Sequence, residues 1–426
     1  MLIEFSAKNF RSIAEAQSIS FVANESQKDG DGQRFSPSNS EFLSKLTLLK
    51  TAVLYGANAA GKSNLIKSLN VMKRMVVTSA RSGQRGDELP VVPFKLDAEL
   101  AEEPTEFEVV FITSGVRYQY GFLASSTQIM QEWLFAYPKG RPQNWFSREW
   151  DKDKAEYDWS FGSSFLGEKQ VWKNATRGNA LFLSTAVQLN SEQLKPVFDW
   201  FEENLRFLGM SGSPSFSVEF CDQGRKEGIL SFLKKADVGI DDLEISSEKF
   251  NSEKLPADMP EALKEMIQEK MIGQEVFEVF TKHQTVQGDM VRFDLDEEST
   301  GTQKLFAFAG PWLDVLDKGY ILVVDELNDN LHPKLVEYLV QLFHNPKTNP
   351  KNAQLFFTTH DTSILNQKIF RRDQIWFCEK DKKGATHLFP LTDFSPRKSV
   401  ENLEQSYLSG RYGAVPFIDP LYDDMG

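Results

Sequence analysis

The chain carries 426 residues with a formal net charge of −13 and two cysteines. Such a length supports a large core or about two to three ordinary domains and excludes a small stapled scaffold, while Cys221 and Cys378, far apart, suggest neither a disulfide framework nor a cysteine zinc site and point to a reducing compartment. The acidic balance opposes broad attraction to nucleic acid, and no apolar run reaches membrane-spanning length, so a cytoplasmic setting without a membrane partner is expected.

In chain order, "LIEFSAKNF" alternates as a strand and "AEAQSISFVA" reads as its hairpin partner. Residues 24–42 are polar and rich in Gly, Ser and Asn, the composition of a mobile loop. "KTAVLYG" is a short apolar strand, and "KSNLIKSLNVMKRMVV" places Leu65, Leu69, Met72 and Val76 at helical spacing. Residues 105–123 alternate like an antiparallel hairpin that turns at Ser114-Gly115, with further strand material through "IMQEWLFAYPKG". From about 150 the character changes. "DKDKAEYDWS" reads as a charged loop, and "SEQLKPVFDWFEENL", "KEGILSFLKKA" and "MPEALKEMIQEKMI" carry helix-period apolar residues. These predict a mainly helical insertion over 151–275, between an N-terminal part (1–150) and a C-terminal part (276–426) of one head. After 275 come the strands "EVFEVF" and "MVRFDLDE", the helix "TQKLFAFAGPWLDVL", the strand "YILVVDE", the helix "PKLVEYLVQLF", and the strands "AQLFFTTH" and "QIWFCEK". Alternating helices and near-continuous apolar strands predict an α/β fold with a sheet covered on both faces.

Gly56-Ala57-Asn58-Ala59-Ala60-Gly61-Lys62-Ser63 fits G-x-x-x-x-G-K-[ST] between a strand and a helix. Small residues there let successive backbone N–H groups point at phosphate oxygens, the helix N-terminus adds favourable potential, and Lys62 neutralises the β and γ phosphates. ATP and Mg2+ are therefore the expected ligands. Ser63 is the expected metal ligand from the loop, and Asn64 joins it among the nucleotide contacts. Such a loop needs a carboxylate from a neighbouring strand end. "YILVVDE" supplies Asp325 for the metal and Glu326 to orient the attacking water. His360, closing "AQLFFTTH", stands where a γ-phosphate sensor is needed. His283, His344 and His387 lack such a context and read as structural. Ser299, Gly301 and Thr302 in "DEESTGTQKLF" precede a helix; alone, they read as an ordinary N-cap.

Taken in order, these pieces resemble the ABC-type ATPase heads, with a P-loop, a long insertion, an S-x-G-T-Q signature, an apolar strand with Asp-Glu, and a strand with His. "KNFRSI" at 8–13 is similar to the first strand of the SMC, RecF and OLD (overcoming lysogenization defect) branch. Closer still, "ESTGTQ", "DELNDNLHP", "FFTTHDTSIL" and "YLSGRYGAVPFI" resemble the prokaryotic abortive-infection AAA-type ATPases that accompany separate effector proteins in anti-phage systems. The resemblance implies an ABC/SMC-type P-loop head that dimerises or forms higher oligomers. In it Ser299, Gly301, Thr302 and Gln303 would contact the γ-phosphate of ATP bound to the opposite subunit, and Arg11 would lie near the nucleotide. It also implies a separately encoded effector as partner and a phage-derived trigger. Two departures stand out: the position after Asp-Glu-Leu that is usually Asp is Asn328, and the Q-loop glutamine is not placed between Gln119 and Gln128. The alternative is a RecF- or SMC-like DNA-repair or DNA-binding ATPase, for which Lys73, Arg74, Arg81 and Arg85 form a local basic patch. A transporter subunit and a GTPase fit less well, because the stretch between 63 and 299 is long and no N-K-x-D motif occurs. "PLYDDMG" reads as a solvated acidic tail.

Overall fold

Wholly apolar strands need cover on both faces, and they build the central sheet. In the computed structural model, which describes residues 1–27, 30–37, 43–209, 212–236, 238–250, 259–271, 275–397 and 401–416, six strands lie in the order Leu205–Leu208, Ile321–Val324, Gln354–Thr358, Thr51–Gly56, Ile375–Lys380 and Thr386–Pro390. Neighbours run parallel except for the last pair. Thr51–Gly56, Ile321–Val324 and Gln354–Thr358 are buried along their whole length. Parallel strands end on one edge, so Gly56, Val324, Thr358 and Lys380 all finish on the side where α/β sheets place their ligands.

A second sheet of seven antiparallel strands runs from Glu156–Phe161 through Gln143–Asp151, Ile129–Tyr137, Val116–Ala124, Thr105–Thr113 and Leu2–Lys8 to Gln17–Ser20. Its predicted hairpin turns where expected, with Ser114 at φ 50° and Gly115 at φ 74°, the left-handed pair that matches strand twist. Phe5, Phe107 and Phe122 of this sheet share one core with Leu65, Leu69, Met72 and Val76 of the helix Lys62–Thr78. Gln354 ties the sheets together: its Nε2 donates to Leu2 O and Leu49 O, and its Oε1 accepts from Leu2 N–H.

The chain divides into two compact units, Met1–Met210 with Val315–Asp329 and Pro333–Gly426, and Ser211–Asp314 with Asn330–His332. These bounds lie elsewhere than the 150 and 275 expected from the sequence. Residue 150 lies inside a strand, because "DKDKAEYDWS" is a turn closed by Asp151 Oδ1 accepting from Asp153 and Lys154 N–H, followed by an edge strand. Tyr157, Trp159 and Phe161 there are half-buried and alternate with exposed Glu156, Asp158 and Ser160. The second unit holds the helices Pro214–Phe220, Lys226–Lys235 and Glu261–Met271 and a three-stranded antiparallel sheet of Asp242–Lys249, Glu275–Gln284 and Met290–Asp294. This unit is thus mixed α and β, and its strands Glu275–Gln284 and Met290–Asp294 pair in a sheet of their own instead of entering the central sheet. Met290–Asp294 is exposed along its whole length, whereas the continuously apolar central strands are buried along theirs. The loop at 24–42 contains a short turn at Asp31–Gln33 and a strand pair of Arg34–Phe35 with Leu48–Leu49. Its residues 28, 29 and 38–42, and the acidic tail at 423–424, lie outside the described residues. Among the described residues no helix is long and apolar enough to cross a membrane.

Candidate functional site

The loop after Thr51–Gly56 holds its shape because no side chain fits at its glycines. Gly61 has φ 115°, and a Cβ there would sit 2.1 Å from Thr386 Oγ1 and 2.9 Å from Ser12 Oγ. A Cβ on Gly56 would meet Cys378 O at 2.3 Å. Ala59 takes a left-handed φ of 62°, a conformation that its Cβ makes costly by about 1 kcal/mol or more. A polar relay braces the outer wall: Asn64 Nδ2 donates to Ser12 Oγ at 2.7 Å, and Thr386 Oγ1 donates to Ala60 O at 2.9 Å. The 2.7 Å contact between Ser12 Oγ and Thr386 Oγ1 must then run from serine to threonine. Arg11, exposed at φ 53°, stands one residue before this serine, its backbone N–H donating to Val92 O.

Lys62 is buried, and its Nζ donates to Gly56 O at 2.7 Å and Ala57 O at 3.0 Å. Burial lowers its pKa, against the opposing pulls of Cys378, Glu326 and Asp325. Thr358 joins the two neighbouring strand ends, since its Oγ1 donates to Asp325 Oδ1 at 2.6 Å and accepts Glu326 N–H at 2.8 Å. Glu326 adopts φ 53°, a conformation that costs a non-glycine residue about 1 kcal/mol or more and tends to persist where function needs it. His360 is exposed at the end of its strand.

A cavity of about 440 Å³ gathers these groups; Asn58, Ala59, Ala60, Gly61, Lys62, Ser63 and Asn64 form one wall, with Glu326, His360 and Lys380 around them. The glycine-shaped cradle and the buried ammonium fit a polyphosphate. Ser63 lines the cavity and Asp325, outside the lining, is next to Glu326 in the chain; a hydroxyl and a carboxylate are hard oxygen donors of the kind magnesium takes together with phosphate and water. Among the described residues no group of three or more His, Cys, Asp or Glu forms a metal cluster of its own. Lys380 escaped the sequence reading, because only strand order brings the end of "QIWFCEK" to the loop.

The other candidates fall elsewhere. In the second unit, Ser299 Oγ accepts Thr302 N–H at 3.2 Å and lies 2.9 Å from Thr302 Oγ1, which is the helix cap that its sequence suggested. Gly301 follows in the first turn of the helix Thr300–Lys318, and Gln303 Nε2 donates to Glu298 O and Asp296 O. Gln119 bonds Glu108 and Tyr137, Gln128 bonds Tyr157, and neither lines the cavity. His283 pairs with Glu298, His344 with Thr51 and His387 with Asp381. In the basic patch, Lys73 Nζ donates to Leu205 O and Glu202 O, and Arg81 pairs with Glu202.

The family described as "AAA domain, putative AbiEii toxin, Type IV TA system" matches residues 52–366, more than half of the chain. Among solved structures, the chain is similar to an "SmcHead bound to the C-winged helix domain of ScpA" at 12% identity and TM-score 0.38, covering 91% of this chain and 97% of that one. It is also similar to the "recombination mediator protein RecF-ATP in RecFOR pathway" at 15% identity and TM-score 0.34, covering 91% of this chain and 99% of that one. None of the curated proteins matches the sequence.

Proposed function

The chain belongs to that AAA-domain family of ATPases, and on this premise we propose that it binds ATP with magnesium, hydrolyses it slowly, and acts as a switch that controls a separately encoded effector in anti-phage defence. One observation carries the chemistry: the loop Asn58–Asn64, Glu326 and His360 line a single cavity. Lys62 and the loop amides hold the phosphates, Ser63 and Asp325 hold magnesium, Glu326 orients water, and His360 reads the γ-phosphate. Arg11, Asn64 and Gly56 complete the nucleotide contacts. Catalysis of this kind is positioning and charge neutralisation rather than covalent chemistry.

Closure is the second half of the proposal. Ser299, Gly301, Thr302 and Gln303 of one copy face the ATP of another, so that hydrolysis follows association of two heads. The family's description reads "putative AbiEii toxin, Type IV TA system", a setting of paired components that supports a partner protein. The DNA-binding alternative loses ground, because two of its four patch cations are engaged by Glu202 and its neighbours. To test the proposal, the Glu326→Gln form is co-expressed with its neighbouring gene, and phosphate release by the wild-type chain is measured with MgATP. Co-purification together with MgATP turnover is expected. No turnover, or tight DNA binding at physiological salt without co-purification, overturns it.

A further inference from the structure

Asn328, one of the two departures from the family pattern, is tied to the histidine of the cavity. Asp361 N–H donates to Thr359 Oγ1 at 3.0 Å, and Thr359 Oγ1 donates to Asn328 Oδ1 at 2.8 Å. The backbone N–H of His360 points at the same Asn328 oxygen at 3.4 Å. Two donors converge there, so this end of the amide is the carbonyl and the other is the NH2 group. That NH2 lies 3.0 Å from His360 Nε2. An amide nitrogen has no lone pair to offer, so Nε2 must accept, and the ring's single proton sits on Nδ1.

We infer that Asn328 is a positioning residue: it fixes His360 as the Nδ1–H tautomer, a neutral hydrogen-bond donor for a phosphate oxygen. The role rests on the γ-phosphate reading proposed for His360. Aspartate at 328 would instead accept a proton-bearing Nε2 and favour the doubly protonated ring. The amide therefore supplies directionality without charge, which matters in a cavity that already holds Lys62 and Lys380 as cations and Glu326 as an anion, with Asp325 and Asp361 near its strand ends. Setting the tautomer of a working histidine through its second nitrogen is a large effect where it has been measured in other enzymes.

The chain has five histidines, few enough for the ring nitrogens to be read by NMR after labelling histidine alone, with His360→Gln assigning the signal. In the wild-type chain at pH 7, His360 is expected to show a protonated Nδ1 and a bare Nε2. Asn328→Asp is expected to shift the ring to the doubly protonated signature, and Asn328→Ala to mix the tautomers. With MgATP, Asn328→Ala should lower kcat at least about tenfold with KM changed less than about twofold, and His360→Ala added to it should cost little more. A protonated Nε2 in the wild-type chain, or additive losses in the double variant, overturns the inference. If no form hydrolyses ATP, the ATPase reading falls while the nitrogen signature still decides the tautomer.

Discussion

At the level of single residues, substitutions at Lys62, Glu326 and Gly61 test the proposed binding and turnover roles separately. Lys62 is the one buried ammonium among the described residues of the cavity wall. Charge-assisted contacts to phosphate, as proposed for it, would be worth up to about 3 kcal/mol, or roughly a hundredfold in Kd. Lys62→Ala is therefore expected to weaken ATP binding by that order, read by calorimetry. Glu326→Gln keeps the shape and the backbone conformation but removes the carboxylate proposed to align water, so binding should persist while turnover falls roughly a hundredfold or more. Normal turnover by Glu326→Gln would take the water-positioning role away from it. Gly61→Ala tests the cradle itself. A methyl group at 2.1 Å from Thr386 Oγ1, on a residue at φ 115°, must displace the loop or the threonine, so nucleotide affinity should fall although no functional group is removed.

At the level of elements, the start of the P-loop strand is held by a buried polar cluster that makes stability depend on pH. Gln374 Nε2 donates to Thr51 Oγ1 at 2.6 Å, leaving the threonine hydroxyl to donate to His344 Nε2 at 2.9 Å. Burial, and then Lys50, push His344 down to about 3, against roughly 6.5 in an unfolded chain. The folded pKa is depressed, so between those values the unfolded chain binds a proton that the native chain refuses. Stability is thus present above about pH 6.5 and is lost as pH falls toward 3. The loss between pH 6.5 and 5 amounts to about 2 kcal/mol for this group. Comparing urea midpoints at pH 7 and pH 5, the wild-type chain should lose more than His344→Gln does; equal losses would remove His344 as a source of the acid sensitivity.

Much of this scale was legible in the sequence. Apolar strands, the Gly-rich loop and the helical spacing of Leu65, Leu69, Met72 and Val76 are local patterns, and each formed the expected element. Contacts made across the fold were not legible. Ser12 meets Thr386, and Lys380 reaches the loop, only because strands distant in sequence are neighbours in the sheet. The strand Glu156–Phe161 was not legible for a different reason: the charges of "DKDKAEYDWS" hid the two-residue alternation of Tyr157, Trp159 and Phe161.

At the scale of the whole molecule, the two units divide the proposed machinery. The P-loop, Asp325, Glu326 and His360 belong to one unit, and Ser299, Gly301, Thr302 and Gln303 to the other. In the second unit Ser299 already caps its helix, so its hydroxyl alone does not establish a ligand role; a trans test is required. If these residues serve the ATP of another copy, Ser299→Arg should leave ATP binding largely intact and block hydrolysis, because the bulky cation prevents closure. Lys62→Ala should fail for the opposite reason, its own loop being unable to hold nucleotide. In a mixed dimer of the two variants, one of the two sites pairs an intact loop from the Ser299→Arg copy with an intact Ser299 from the Lys62→Ala copy. Partial activity should therefore return on mixing two inactive proteins and should peak near equal amounts. With mixed dimers shown to form by tagged co-purification, activity that stays absent at every ratio would mean that Ser299 acts within its own chain, as a cap, and that closure between heads is not what gates hydrolysis.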